Sequence, residues 1–181
     1  MHWPRPACRK HTRPARASSG TIVPDLSDGG IVEDQGPIDF LLGTWIGEGA
    51  GDFPSMEPFV YEEEIGFAPA GGPVLRYTQR AWRAGGGDQL HTETGLWLAA
   101  GELLTVSIAL PAVSEVCEGT VRGSSILLKS IGVTRSAAGP PLVATRRAYR
   151  LEGSVLSYDI EMATSRVGLT RHVWGSLVRT A

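Results

Sequence analysis

The stretch Val155-Leu156-Ser157-Tyr158-Asp159-Ile160-Glu161-Met162 alternates apolar and polar side chains from Leu156 onward. Leu156, Tyr158, Ile160 and Met162 share one side of an extended chain, and Ser157, Asp159 and Glu161 share the other. That period of two is the mark of a half-buried β-strand. A short connection, Ala163–Leu169 with Gly168, leads to a second strand candidate, Thr170–Val178. Read as a hairpin centred near Val167, the pair sets Met162 opposite His172, Ile160 opposite Trp174 and Tyr158 opposite Ser176. Directly opposed residues point to the same side, so His172 falls on the apolar face of Met162 and Ile160. An imidazole in such surroundings is desolvated, which favours its neutral form, the form that binds a metal ion.

Upstream the pattern repeats. Val60–Phe67, Val74–Trp82, His91–Ala99, Leu103–Leu110, Glu115–Val121, Ser125–Val133 and Ala144–Leu151 read as further strands. The gaps carry turn signals such as Ala70-Gly71-Gly72-Pro73, Gly85-Gly86-Gly87-Asp88 and Glu152-Gly153-Ser154. The one helical stretch is a short turn at Ile38–Leu42. About ten short antiparallel strands with tight connections predict an all-β meander. Such a sheet closes on itself to remove its edges, giving an up-and-down β-barrel of the lipocalin and fatty-acid-binding kind, wide enough for one small ligand. A two-sheet sandwich is the alternative. Gly43-Thr44-Trp45-Ile46-Gly47-Glu48-Gly49 opens the first strand. Trp45 reads as an apolar plug at the barrel base, with glycines that permit close backbone approach and curvature. The acidic trio Glu62, Glu63 and Glu64 reads as a solvated face, and Arg146, Arg147 and Arg150 as a solvated strand edge. Cys117 reads as an inert buried thiol.

Composition narrows the function classes. The chain has 181 residues, 42% hydrophobic and 20% charged, with a net charge of −2. That balance argues against a chain-wide nucleic-acid footprint. No apolar run approaches the length that spans a bilayer, so no membrane partner is expected. Residues 1–24 carry Arg5, Arg9, Lys10, Arg13 and Arg16 with no acid, and Asp25, Asp28, Glu33 and Asp34 follow. With four prolines and no apolar h-region, residues 1–36 are expected to be a disordered N-terminal extension rather than a secretory signal. Residues 37–181 are expected to form the barrel. They hold two histidines, His91 and His172, and one cysteine. That count is too small for zinc spacing, and no Gly-x-Ser-x-Gly or Gly-x-Gly-x-x-Gly motif is present. No paired carboxylates are evident on the apolar faces. A cytoplasmic location is the expectation.

The motif at 43–49, followed by Phe53-Pro54-Ser55, Pro58-Phe59 and Tyr61-Glu62-Glu63, resembles the start of the nitrobindins. The likeness continues through Tyr77-Thr78-Gln79, His91-Thr92-Glu93-Thr94-Gly95, Tyr149-Arg150, Leu156-Ser157-Tyr158 and the last strand with His172. It covers roughly residues 38–179. The resemblance implies a ten-stranded barrel that binds haem b, one per chain, and isomerises peroxynitrite to nitrate. It implies His172 as the axial iron ligand, and His91, Met162 and Ser55 as pocket residues. Pro140 aligns where a relative carries a Lys directed at a haem propionate, so no propionate partner is carried over. The implied small-molecule partners are peroxynitrite and nitric oxide, with a second copy of the chain as a further candidate. The alternative is a non-catalytic carrier of an apolar molecule or of haem in the same barrel.

Overall fold

A computed structural model describes residues 36–180. The expectation for the N-terminal extension falls outside these residues, Gly36 excepted. Ten strands follow a single 3₁₀ turn at Asp39–Leu41: β1 (Gly43–Phe53), β2 (Met56–Pro69), β3 (Val74–Arg83), β4 (Gln89–Ala100), β5 (Leu103–Leu110), β6 (Val113–Arg122), β7 (Ser125–Arg135), β8 (Leu142–Glu152), β9 (Val155–Thr164) and β10 (Thr170–Arg179). Each pairs antiparallel with its sequence neighbours, and β10 returns to β1, so the sheet is a closed up-and-down barrel and not a sandwich. Among the described residues no helix is long and apolar enough to cross a membrane.

The inward parity of each strand builds the core. Tyr61, Ile65 and Phe67 of β2, Tyr77 of β3, Trp97 of β4, Tyr149 of β8 and Tyr158 of β9 are buried. The rings of Phe67, Tyr77, Trp97, Tyr149 and Tyr158 form a run of tilted and edge-on contacts with centroids 5.2 to 5.9 Å apart. Trp45 closes one end as the sequence suggested. It is 1% exposed, its Nε1–H donates to the Leu41 carbonyl at 2.7 Å, and the Arg179 guanidinium covers its ring at 4.5 Å. The 3₁₀ turn thus serves as the lid of that end. The connections β1–β2, β3–β4, β5–β6, β7–β8 and β9–β10 gather at the opposite end.

Two expectations are corrected. The acidic trio is not a solvated face throughout: β2 is regular over 14 residues, and Glu63, of the same parity as Tyr61 and Ile65, is 3% exposed inside the barrel. The hairpin register also differs. Thr170, not His172, lies opposite Met162, because Thr164 closes a tighter turn: its N–H donates to the Val167 carbonyl and its Oγ1 accepts from the Val167 N–H. The ladder then shifts between Arg171 and Val173, so that Val173 faces Ile160 and Trp174 faces Asp159. Trp174 is therefore outside, where the Arg171 guanidinium lies 3.9 Å over its ring and also binds Asp159. His172 is the extra residue of a β-bulge. A bulge sets two residues against one on the partner strand, and here both His172 and Val173 reach the interior.

Candidate functional site

The end opposite Trp45 opens into a cavity of about 530 Å³. Its upper wall is apolar, from residues such as Met56, Phe59, Leu142, Ile160, Met162 and Val173. Its floor is polar: Tyr61, Gln79, Glu93, Arg147 and Tyr158 reach it from β2, β3, β4, β8 and β9. A pocket of this size, mostly apolar with a few fixed polar groups, is the usual form of a small-molecule site.

His172 stands in the apolar wall. Phe53 meets its ring edge-on at 5.4 Å, and its Nδ1 is buried with no hydrogen-bond partner. Burial lowers its pKa, so the ring is neutral at physiological pH and keeps a nitrogen lone pair. Met162 lines the same cavity from β9. His91 lies on β4 at the boundary between the cavity and an adjoining groove of about 380 Å³, and Pro140 lines both. The His91 Nε2 is 3.2 Å from Glu93 Oε2, so the residue is both a wall residue and a partner of Glu93. Ser55 is exposed at the β1–β2 turn and lies outside the cavity lining, which its neighbour Met56 reaches.

The floor carries charge that strand-by-strand reading placed outside. Arg147, 4% exposed, is clamped between two carboxylates: its Nη1 donates to Glu93 Oε1 at 2.9 Å and its Nη2 to Glu115 Oε2 at 2.9 Å. Glu93 also accepts from the Tyr77 hydroxyl at 2.6 Å, and Glu115 from Thr145. Burial alone would raise the Glu93 carboxyl, but Arg147 and His91 outweigh it and hold the group well below the usual carboxylate range. Among the described residues Glu63 forms no ion pair, and only His91 lowers its carboxyl by charge. Gln79 donates to its Oε2 at 2.6 Å, while Oε1 lies beside the Tyr158 hydroxyl and completes no other hydrogen bond among the described residues. Burial pushes its carboxyl up to about 7, against the opposing hydrogen bonds. The expectations of a solvated Arg147 and of no paired carboxylates inside are thereby overturned. The signal was present: Arg147 shares parity with Tyr149, as Glu63 does with Tyr61, and each parity points inward.

A closed ten-stranded barrel with one plugged end, one open apolar cavity and a half-buried neutral imidazole in its wall is a small-molecule-binding barrel. Residues 34–179 match the family described as the THAP4-like, heme-binding beta-barrel domain. The chain belongs to this family, that of the nitrobindins. It is 38% identical over 141 residues to peroxynitrite isomerase 1 of Rhodococcus jostii, covering 77% of this chain and 80% of that protein. It is 35% identical over 145 residues to the peroxynitrite isomerase of Nocardia farcinica, covering 77% and 86%. The crystal structure of Rv2717c from M. tuberculosis superposes with a TM-score of 0.72 at 33% identity, over 78% of this chain and 93% of that one.

The residues present fit a haem. The cavity wall is apolar, as a porphyrin face requires, and His172 offers an uncharged ring with an unsatisfied buried nitrogen. A single imidazole does not hold a metal ion alone, but iron in haem brings four nitrogen ligands of its own.

Proposed function

We propose that the chain holds one haem b through His172 and isomerises peroxynitrite to nitrate, removing a reactive nitrogen species, with nitric oxide as a second ligand. The observation that carries this reading is the orphaned, neutral imidazole of His172 in the apolar wall of a barrel whose family binds haem. The names of the relatives support peroxynitrite as substrate.

When bound, a ferric haem would supply the iron chemistry for the rearrangement of peroxynitrite to nitrate. The chain's own residues do the rest. His172 would hold the iron, and its neutral form at neutral pH means that no proton competes for the ligand nitrogen. Met162 and Ile160 exclude water from the apolar wall. His91 borders the pocket and is held in place by Glu93, whose ionised carboxylate lies 3.2 Å from its Nε2. Ser55, exposed on the rim turn, is assigned to cofactor binding on the family resemblance alone. The net isomerisation neither consumes nor releases a proton, and no residue is assigned as a general acid. The cytoplasm is the assigned location, in keeping with the buried free thiol of Cys117, which burial pushes up to about 12 and so keeps unreactive.

Haem titration of the purified chain, followed by stopped-flow decay of peroxynitrite, tests the reading. A saturable Soret band at one haem per chain and a decay rate proportional to holoprotein are the expected results. A chain that takes up no haem, or holoprotein that leaves the decay at its spontaneous rate, refutes it.

A further inference from the structure

The isomerase reading uses the cavity wall and leaves part of the floor without a role. Tyr61 and Tyr158 both line the cavity, and their hydroxyl oxygens are 2.5 Å apart. Beside Tyr158 lies Glu63: Gln79 occupies its Oε2, and its Oε1, next to the Tyr158 hydroxyl, completes no other hydrogen bond among the described residues. Glu93 and Glu115 by contrast have both oxygens engaged. Glu63 and Tyr158 meet over Gly175: a Cβ built there would lie 2.6 Å from Glu63 Oε1 and 2.8 Å from the Tyr158 ring. A side chain at 175 would have to push one of the two aside. Deeper in the barrel, Tyr158 contacts Tyr149 at 5.9 Å, Tyr149 contacts Trp97 at 5.3 Å, and Trp97 contacts Tyr77 at 5.5 Å between ring centroids. An unbroken file of oxidisable rings therefore begins at the cavity surface beside a base.

We propose that Tyr158 is a redox-active residue that reduces nitrogen dioxide radical entering the cavity to nitrite, with Glu63 accepting its phenolic proton. Nitrogen dioxide takes one electron and becomes nitrite. Tyr158 loses that electron together with its hydroxyl proton and becomes a neutral phenoxyl, and the Glu63 carboxylate becomes a carboxylic acid. Charge and atoms balance without another reactant. An ascorbate-class reductant then supplies one electron, and Glu63 returns the proton. Nitrogen dioxide is the fragment left whenever cleaved peroxynitrite fails to rejoin. In this respect the inference rests on the isomerase reading, whereas the oxidation of Tyr158 itself does not.

The surroundings suit the step. Burial raises the Tyr158 hydroxyl far above the usual phenol range, so it reacts as the phenol and must shed a proton on oxidation. The groups facing Glu63 are Tyr158 from β9, Gln79 from β3, and Glu93 and His91 from β4. With its carboxyl near 7, an ionised share is present at neutral pH to take the proton. Tyr61 turns its O–H, otherwise shared with the Trp174 carbonyl at 3.3 Å, onto the phenoxyl oxygen. Tyr149 and Trp97, whose hydroxyl and indole N–H are unpartnered, extend the file away from the cofactor cavity.

The experiment generates nitrogen dioxide radiolytically from nitrite in the presence of the purified protein, and reads freeze-quenched electron paramagnetic resonance. No peroxynitrite is used, so failure here leaves the isomerase reading standing. The wild type should give a tyrosyl signal. Tyr158→Phe, which keeps the ring and its packing, should remove most of it. Glu63→Gln, which keeps the size and a polar group beside Gln79, should slow its appearance by roughly tenfold or more with the line shape unchanged. The wild type should show a solvent deuterium effect on that rate, and Glu63→Gln should lose it. Absence of a tyrosyl signal in the wild type overturns the proposal. So does an undiminished signal in Tyr158→Phe, or an unchanged rate in Glu63→Gln.

Discussion

Replacing Arg147 by Ala would leave Glu93 and Glu115 buried with no cation between them. Breaking a buried pair by removing one partner typically costs about 3–5 kcal/mol, because the surviving charge has no compensation. Urea denaturation of Arg147→Ala should show a loss of that order, and a loss below about 1 kcal/mol would mean that the floor relaxes without the cation. Glu63 sets a pH dependence of opposite character. Its carboxyl binds a proton more tightly folded, near 7, than at its ordinary 4.5. The native state therefore holds more protons than the unfolded chain between those values, and stability falls as pH rises through that window, then levels off. In Glu63→Gln that part of the slope should vanish. Between about pH 5 and pH 8 the wild type should lose more stability than the variant, by at most on the order of 3 kcal/mol. Equal pH slopes in the two proteins would contradict the assignment. Neither group was recognised from the sequence, because a charge reads as solvated until its partner is known. The partners lie far off in sequence: Arg147 is 54 residues from Glu93 and 32 from Glu115.

At the level of the strands, the alternation that marks β9 holds in its burial from Val155 to Glu161 and fades beyond, and the short turn before Trp45 and the strands from β3 onward were legible for the same reason. Period-two burial against a single core leaves its trace in the sequence of each strand separately. The register of β10 left no such trace. It depends on a turn made by Thr164 and on one inserted residue, and hydrophobicity reports neither. A hairpin without the bulge, in the register beyond it, would have turned His172 outward. The bulge restores it to the cavity, so the expectation for that side chain survived a mistaken pairing. The opposite case is Trp174, where the assumed pairing put an outward residue on the inner face. Close strand approach is a further property of elements. A Cβ at Gly47 of β1 would lie 2.1 Å from the Ser176 carbonyl oxygen of β10, a backbone atom that cannot swing aside. Gly47→Ala should therefore destabilise the β1–β10 seam by about 1–3 kcal/mol, the usual range for overpacking. For a chain of this size that is a fall in melting temperature of roughly 2–12 °C. An unchanged melting temperature would show that the seam opens freely.

For the whole molecule, closure leaves no free sheet edge, Trp45 and the 3₁₀ turn seal one end, and ligand access is confined to the other. A ligand that binds only the folded barrel stabilises it by mass action, about 2.7 kcal/mol at a hundred times its Kd. Saturating haem should thus raise the melting temperature by roughly 5–10 °C. No shift on haem addition would place any bound pigment outside the cavity. The barrel class was legible because it follows from strand number and tight turns. The division of its interior into an apolar wall and a charged floor was not, since it arises only when ten inward faces are brought together. The axial role of His172 is the central claim, and one paired measurement reaches it most directly: haem content by Soret absorbance and peroxynitrite decay by stopped flow, in His172→Ala beside His91→Ala. The account predicts that His172→Ala loses the spectrum of the His-ligated ferric haem and returns peroxynitrite decay to the uncatalysed rate, while His91→Ala keeps its haem with a modest change in spectrum or rate. Haem retained in His172→Ala and lost in His91→Ala would contradict it.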